Sequence, residues 1–239
     1  MIPAMDADPR AWRPQAFGRQ HVKNVADPVI EPAWDGIRVL AHLDVAADRV
    51  EINDVTGADL ASDHAPIAAA LLDALAADTA IVDGYLTDQA TRPSENLTIL
   101  GGEIPTFGER TSQFFLGQQG AELMSGRGRP GRVGGARTAD EVEWALGDES
   151  IAFVAVDLVA LDGRSLLEIP LLERKRLLES VLAESNLVRR TPYVRLPAGS
   201  FIITWRSFGF GGLAYKAANS RYRPGAPNDD WCMVPMPRR

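Results

Sequence analysis

The sequence predicts an α+β protein in which antiparallel sheets are flanked by helices. Segments with strand character outnumber helical ones, and the two kinds rarely alternate as they would around a parallel sheet. The chain has 239 residues, of which 46% are hydrophobic, so it can bury a large core. We expect one domain over residues 28–239, preceded by an extended N-terminal arm over residues 1–27.

Charge and cysteine content limit the classes of function. The net charge of −7 argues against a protein that coats nucleic acid, although it leaves room for a local basic patch. The one cysteine, Cys232, rules out an internal disulfide and suits a reducing compartment. Residues 1–21 contain no apolar h-region of a signal peptide, and no apolar run is long enough to cross a bilayer. We therefore expect a cytoplasmic protein with no membrane partner.

The first strands are centred on an Asp-Gly pair. Asp35 and Gly36 lie between two apolar runs, over residues 28–34 and 37–45. Such a pair is a strong hairpin signal because both turn positions need positive φ. We expect two antiparallel strands joined by a tight turn, followed by a third strand over residues 49–53.

Helical spacing of apolar residues predicts a helix over residues 65–76, with Asp63 as its N-cap. A short apolar strand follows over residues 79–86, and we expect Asp83 and Gly84 to break it.

The middle of the chain is rich in glycine and arginine. Seven glycines lie between residues 117 and 135, and such a segment loses much entropy on ordering and offers little apolar area in return. We expect residues 88–138 to form a mobile loop. Its Arg-Gly-Arg-Pro segment at 127–130 matches the core of an AT-hook, whose arginines lie in an A·T minor groove. The match is short, and we favour a solvated Gly/Arg loop. The expected DNA contacts are Arg127, Arg129 and Arg132, with Arg137 at the end of the loop.

The second half returns to regular patterns. The pattern predicts a short helix over residues 139–146 and an amphipathic helix over residues 170–183. Between them, the continuously apolar residues 151–161 indicate a buried strand. The remaining predicted elements are strands over residues 187–196, 212–217 and 231–234 and a helix over residues 200–207.

Several motifs stand in a fixed order along the chain. The first runs Glu-Pro-Ala-Trp-Asp-Gly-Ile-Arg from Glu31 to Arg38. The others lie at residues 50–65, 81–86, 153–175, 209–216 and 220–231. In this order they resemble the adenylation domain of ATP-dependent DNA ligases, especially bacterial repair ligases. The resemblance implies a nucleotidyltransferase (ATP-grasp-like) fold.

The chain departs from the family pattern where the reaction takes place. In the family a lysine of the first motif attacks the α-phosphate of ATP and carries AMP; that position is Ala33 here. A carboxylate position is Tyr85, the adenine-stacking aromatic is Val156, and the glutamate of the fourth motif is Gly211. The positions that correspond to the family's nucleotide pocket are Glu31, Trp34, Arg38, Tyr85, Val156, Gly211, Lys216 and Met233.

Other candidate sites are weaker. The three histidines lack the spacing of metal ligands, and we expect no metal site. Asp83 and Asp157 look like a carboxylate pair, but their positions in the motifs are mainly structural. Lys216 is either a remaining phosphate contact or a surface lysine.

Taken together, the resemblance and the departures predict a non-catalytic module associated with DNA repair, which binds DNA or a repair partner. No cofactor is expected, whereas active family members use ATP and Mg²⁺. One alternative is a non-covalent nucleotide sensor that uses Glu31, Trp34, Arg38 and Lys216. Another is an active ligase with a displaced nucleophile, for which Lys23 is the lysine nearest the first motif. We also expect the OB-fold domain of the family to be missing.

Overall fold

The computed structural model describes residues 8–90, 137–144 and 147–237. They form an α+β fold whose sheets are mainly antiparallel. The strands are β1 (Ala16–Phe17), β2 (Pro28–Pro32), β3 (Ile37–Asp44), β4 (Arg49–Asp54), β5 (Thr79–Thr87), β6 (Ala152–Leu161), β7 (Arg164–Ser165), β8 (Val188–Arg190), β9 (Gly212–Ala217), β10 (Pro227–Asn228) and β11 (Trp231–Pro235). The helices are α1 (Ala65–Ala74), α2 (Leu171–Val181) and α3 (Gly199–Ser207).

The largest sheet has the order β4-β3-β5-β6-β7, with β8 added beside β6. Its pairs are antiparallel apart from the parallel pair of β6 and β8. Successive side chains of a strand point to opposite faces. On β3, Val39 and Ala41 therefore face one side, where they share a core with Leu71 of α1 and Leu178 of α2.

A second sheet has the order β11-β9-β2 and is antiparallel throughout. Helix α3 packs on it through Trp205, which is fully buried with Ile30 of β2 and Leu213 of β9. The short strands β1 and β10 form a separate parallel pair.

The two larger sheets meet face to face across a third core. Val29 of β2 and Trp231 of β11 pack there against Leu40 of β3 and Val159 of β6. Leu40 neighbours Val39 along β3, so this core lies on the opposite side of the large sheet from α1 and α2. The space between the sheets also holds most of the buried charged side chains described below.

The predicted hairpin at Asp35 and Gly36 is wrong. The strands before and after this pair belong to different sheets, since β2 pairs with β9 whereas β3 pairs with β4 and β5. Gly36 has φ of 140°, but Asp35 is not among the residues with positive φ. The segment is a crossover between sheets. The Asp-Gly pattern indicates a local change of chain direction, but it does not indicate which strands β2 and β3 pair with.

Other predicted elements differ in extent. β5 continues through Asp83 and Gly84, and the irregularity there is a shift in its register with β6. His64, and not Asp63, precedes α1. The strand expected over residues 187–196 is regular over Val188–Arg190 alone, and Ala139–Glu141 forms a 3-10 turn. The predicted positions of β4, β6, β9, β11 and the three helices are confirmed within a few residues.

Residues 8–27, expected to be an extended arm, form short turns and β1 and bury Trp12 and Gln15 against the domain. The expected mobile loop lies almost entirely outside the described residues, and so do Arg127, Arg129 and Arg132. Within the described part of the chain, none of the helices is long and apolar enough to cross a membrane.

Candidate functional site

A buried carboxylate joins two buried lysines between the sheets. Glu31 of β2 lies 2.5 Å from Lys175 Nζ and 2.8 Å from Lys216 Nζ, and all three side chains are at most 2% exposed. Lys175 comes from α2, and its ammonium also donates to the carbonyl of Val156 at 2.9 Å. Lys216 comes from β9 and lies 4.3 Å from the centre of the Trp231 ring. The expectation that Lys216 could be a surface lysine is therefore wrong.

The charges of this cluster are unequal in number, because two ammonium groups share one carboxylate. Burial by itself would raise the pKa of Glu31, but the two lysines outweigh it and hold that pKa below its ordinary value. Burial lowers the pKa of Lys175, opposed by the charge of Glu31 and assisted by that of Lys216.

A second buried group is centred on Arg38 of β3. Its Nε and Nη2 donate to the two carboxylate oxygens of Asp83, each at 2.5 Å, in the bidentate geometry that suits a guanidinium. Nη1 donates to the hydroxyl of Tyr85 at 2.7 Å, and the Tyr222 hydroxyl donates to Asp83 at 2.8 Å. Burial would lower the pKa of Arg38, but the Asp83 carboxylate raises it well above its ordinary value. The guanidinium is therefore held by the protein's own groups.

A third pair links α2 to the large sheet. Arg174 donates from Nε and Nη2 to Asp157 at 2.9 and 2.7 Å, and both side chains are fully buried. Asp83 and Asp157 are neighbours across β5 and β6, yet each carboxylate is paired with its own arginine. Among the described residues, no group of three or more His, Cys, Asp or Glu side chains could hold a metal ion.

Ala33 lies directly after β2, two residues from Glu31. Its backbone N–H donates to the carbonyl of Gly212 at 3.0 Å, which extends the pairing of β2 with β9. The next residue, Trp34, donates from its indole N–H to the Thr191 hydroxyl at 2.8 Å and packs edge-on against Phe210. The backbone at Ala33 is thus well fixed by the fold, and the side chain of this residue is a methyl group.

Of the eight residues expected in the nucleotide pocket, the structure brings four into two contacting pairs. Glu31 and Lys216 are in contact, as are Arg38 and Tyr85. Val156 is buried, and its backbone carbonyl accepts a hydrogen bond from Lys175. Met233 is paired with Ala214 across β11 and β9, and the carbonyl of Gly211 accepts a hydrogen bond from Met236.

Sequence reasoning missed Lys175 and Arg174 as members of this site. Both lie on an amphipathic helix, where charged residues normally face water. However, the four buried residues of α2 are Leu171, Arg174, Lys175 and Leu178. Their spacing is i, i+3, i+4 and i+7, that of the buried stripe of a helix. The presence of two charged residues within that stripe was the sequence signal that Arg174 and Lys175 are buried.

The fold is that of a DNA ligase adenylation domain. The crystal structure of the ligase domain of Mycobacterium tuberculosis LigD superposes with a TM-score of 0.58 at 21% identity, covering 95% of this chain and 60% of that one. A structure of mycobacterial DNA ligase D complexed with ATP and MES matches to the same extent.

The chain belongs to the ATP-dependent DNA ligase family, because the model of the ATP dependent DNA ligase domain matches residues 19–234. The multifunctional non-homologous end joining proteins LigD of Mycobacterium bovis and M. tuberculosis are each 28% identical to it over 204 residues. The match covers 84% of this chain but about a fifth of the length of those relatives.

Proposed function

We propose that this chain is a ligase-family domain that forms no AMP–lysine intermediate and serves DNA repair by binding DNA or a repair protein. The proposal rests on which residues the site contains and on how its charged groups are paired. The position that the resemblance assigns to the nucleophile is an alanine, and the buried charged groups of the site pair with one another.

Adenylate transfer to lysine forms a bond from the amine nitrogen to the α-phosphorus and releases pyrophosphate. The reaction requires a nucleophile with a lone pair, and the Ala33 methyl group has none. Mg²⁺ would need carboxylate oxygens. Glu31, Asp83 and Asp157 each already pair with one or two buried cations. The described residues therefore do not fit a magnesium site, and we derive no step through one.

The test is an incubation of the purified protein with ATP and Mg²⁺, followed by intact mass measurement. We expect no increase by one AMP, either for the natural chain or for Ala33→Lys, because the variant gains a nucleophile but no free carboxylate. Ala33→Met is the matched control, since methionine has a comparable length without an amine. The ligase domain of LigD serves as the positive control.

An AMP adduct on the natural chain would overturn the proposal and favour a displaced nucleophile. Peptide mapping would then distinguish Lys23, the candidate from sequence, from Lys175 and Lys216, which the fold places near Glu31. An adduct on Ala33→Lys alone would show that the site still supports the chemistry and lacks the amine only.

The nucleotide-sensor alternative is supported by one observation, the two ammonium groups that share one carboxylate. The surplus positive charge could attract a nucleotide phosphate. Calorimetric titration with Mg-ATP separates the two proposals. We expect weak or no binding, because Val156 offers no ring for adenine to stack on, and stacking contributes about 1–3 kcal/mol per base in other sites. A dissociation constant in the low micromolar range would favour the sensor.

A further inference from the structure

We propose that a cavity on the large sheet binds a protonated amine carried on an apolar stem. The cavity has a volume of about 510 Å³, within the range of about 300–1,000 Å³ that is usual for small-molecule sites. Residues from the five strands β3 to β7 and from the segment 8–12 line it. The proposal goes beyond the function proposed above and does not depend on whether the chain forms an AMP adduct or binds DNA.

The cavity is separate from the site that contains Glu31 and Arg38. It is lined by His42 and Asp44, at the end of β3. His42 is four residues along the strand from Arg38, a distance of about 13 Å in extended chain. A ligand in the cavity would therefore contact a different part of the sheet.

The floor of the cavity is a row of neighbours across five strands. Glu51 of β4 is paired with His42 of β3, and His42 with Ile81 of β5. The row continues through Ala160 of β6 to Ser165 of β7. Neighbours across a sheet share a face, and all five residues line the cavity. The side chains at the β7 end of the row are small, which leaves space above them.

One part of the cavity is apolar. Trp12 lines it from the N-terminal segment, and the same side chain packs in one core with Ile81 and Ala160. Apolar ligand surface that moves from water to such side chains gains free energy through the hydrophobic effect. The ligand should therefore carry an apolar stem beside its polar group.

The other part is charged, and its carboxylates outnumber its guanidinium groups. Burial lowers the pKa of His42 below its ordinary value of 6.5, so the imidazole adds no positive charge at neutral pH. A ligand with a single positive charge would balance the surplus carboxylate. The charged residues of the lining are Asp8, Arg10, Asp44, Arg49 and Glu51.

The carboxylates are also less exposed than the guanidinium groups. The side chains of Glu51 and Asp44 are 29% and 28% exposed, whereas those of Arg10 and Arg49 are 55% and 51% exposed. The guanidinium groups approach these carboxylates only to 3.7–4.0 Å, farther than in a charge-assisted hydrogen bond of about 2.7–2.9 Å. Exposed ion pairs of this kind contribute little. An ammonium group in the cavity can therefore replace the arginines, which turn into water.

Two variants test the two halves of the cavity. Glu51→Gln removes a carboxylate of the floor and keeps the size of the side chain. Ser165→Leu adds an apolar side chain from the exposed strand β7 and changes no charge. The matched control is Glu173→Gln, which removes an exposed carboxylate of α2 that is not part of the lining.

The first experiment uses three probes that share a stem and differ in head group: hexylammonium, hexanol and hexanoate. Calorimetric titration at neutral pH and equal ionic strength measures their binding. We expect hexylammonium to bind the natural chain at least tenfold more tightly than hexanol or hexanoate. Its binding should be at least tenfold weaker in Glu51→Gln, unchanged in Glu173→Gln, and lost in Ser165→Leu. Hexylammonium should also raise the Tm of the natural chain and not that of Glu51→Gln.

Three results would overturn the proposal. Equal affinity for the three probes would show that the cavity does not select an ammonium group. Equal binding of hexylammonium by the natural chain, Glu51→Gln and Ser165→Leu would show that it binds elsewhere. Failure of the natural chain to bind hexylammonium would exclude the site. If one of the two variants does not fold, the other still decides between these results.

A last comparison distinguishes two sources of this ligand chemistry, a free diamine and the side chain of a lysine. The probes are cadaverine and N-acetyl-lysine methylamide. Cadaverine has a second ammonium group, which the exposed carboxylate of Asp8 would attract. Tighter binding of cadaverine that is weakened in Asp8→Asn assigns the site to a diamine. Tighter binding of the lysine derivative assigns it to a lysine of a partner protein. If Glu51→Gln binds both probes as the natural chain does, the proposal is wrong.

Discussion

At the scale of single residues, Glu31 has the greatest influence on the electrostatics of the space between the sheets. It carries the carboxylate that both Lys175 and Lys216 contact. Removal of one partner from a buried ion pair is strongly destabilising, because it leaves the remaining charge without compensation. Here one substitution would leave two such charges.

We expect Glu31→Gln to lower the free energy of unfolding by about 3–5 kcal/mol. The control is Glu173→Gln on α2, which removes a carboxylate paired with Arg176 on the surface and should change stability by less than about 1 kcal/mol. Chemical denaturation of the three proteins measures both values. Similar effects for the two variants would mean that Glu31 contributes no more than a surface ion pair.

The same residue predicts a dependence of stability on pH. The folded state holds the pKa of Glu31 below its ordinary value of 4.5, so the carboxylate stabilises the fold above that pH. This contribution is lost as the pH falls below 4.5 and through the folded-state pKa. The stability difference between the natural chain and Glu31→Gln should therefore shrink in that range. A difference that stays constant down to the acid transition would contradict this assignment.

Among the elements, the crossover between β2 and β3 tolerates little change at Gly36. A Cβ atom on Gly36 would lie 2.2 Å from the carbonyl oxygen of Leu86, and the residue has φ of 140°. We expect Gly36→Ala to destabilise the fold by more than about 1 kcal/mol, through strain and collision with the backbone.

Gly199 is the matched control for that substitution. It lies at the start of α3, and a Cβ there would meet no atom within 4 Å. Gly199→Ala should be neutral or stabilise by about 0.4–1 kcal/mol, because it restricts the unfolded chain. Thermal or chemical unfolding of the two variants tests the pair. Equal effects would show that the crossover accommodates a side chain.

A comparison of the strands with their predicted positions shows which parts of the fold the sequence could predict. Apolar runs located β6 and β9 because burial on a sheet depends on local pattern. The pairing of β2 with β9 was missed, since it joins residues far apart in the chain. Glu31, Arg38 and Lys216 were found through their motifs. Arg174 and Lys175 were not, because charged residues of an amphipathic helix normally face water and their burial depends on the contacts of the folded chain.

At the scale of the whole molecule, the proposed function includes contact with nucleic acid. Arg127, Arg129 and Arg132 lie outside the described residues, and our proposal of direct DNA binding rests on them. Arg137, at the end of the same segment, is within the described part and pairs with Asp35 at 2.7 Å. That guanidinium already neutralises a carboxylate, which reduces its contribution to a phosphate-binding surface.

If the glycine-rich segment binds DNA, affinity should fall with salt at a slope of about −2 to −4 in a plot of log K against log salt, since each neutralised phosphate contributes about −0.9. Arg127→Ala/Arg129→Ala should lose most of the affinity for a nicked duplex. Arg164→Ala/Arg176→Ala removes the same charge from exposed positions and should keep it. Equal binding by the two double variants, or no binding at low salt, would favour a protein partner over DNA.

The division of β2 and β3 between two sheets also determines when the domain can assemble on the ribosome. β3 can pair with β4 and β5 as soon as residues 37–87 have emerged. β2, although it is made earlier, pairs with a strand at residues 212–217. The large sheet can therefore form while the chain is still being synthesised. The smaller sheet, and with it the burial of Glu31, can form only after residues 212–217 have been translated.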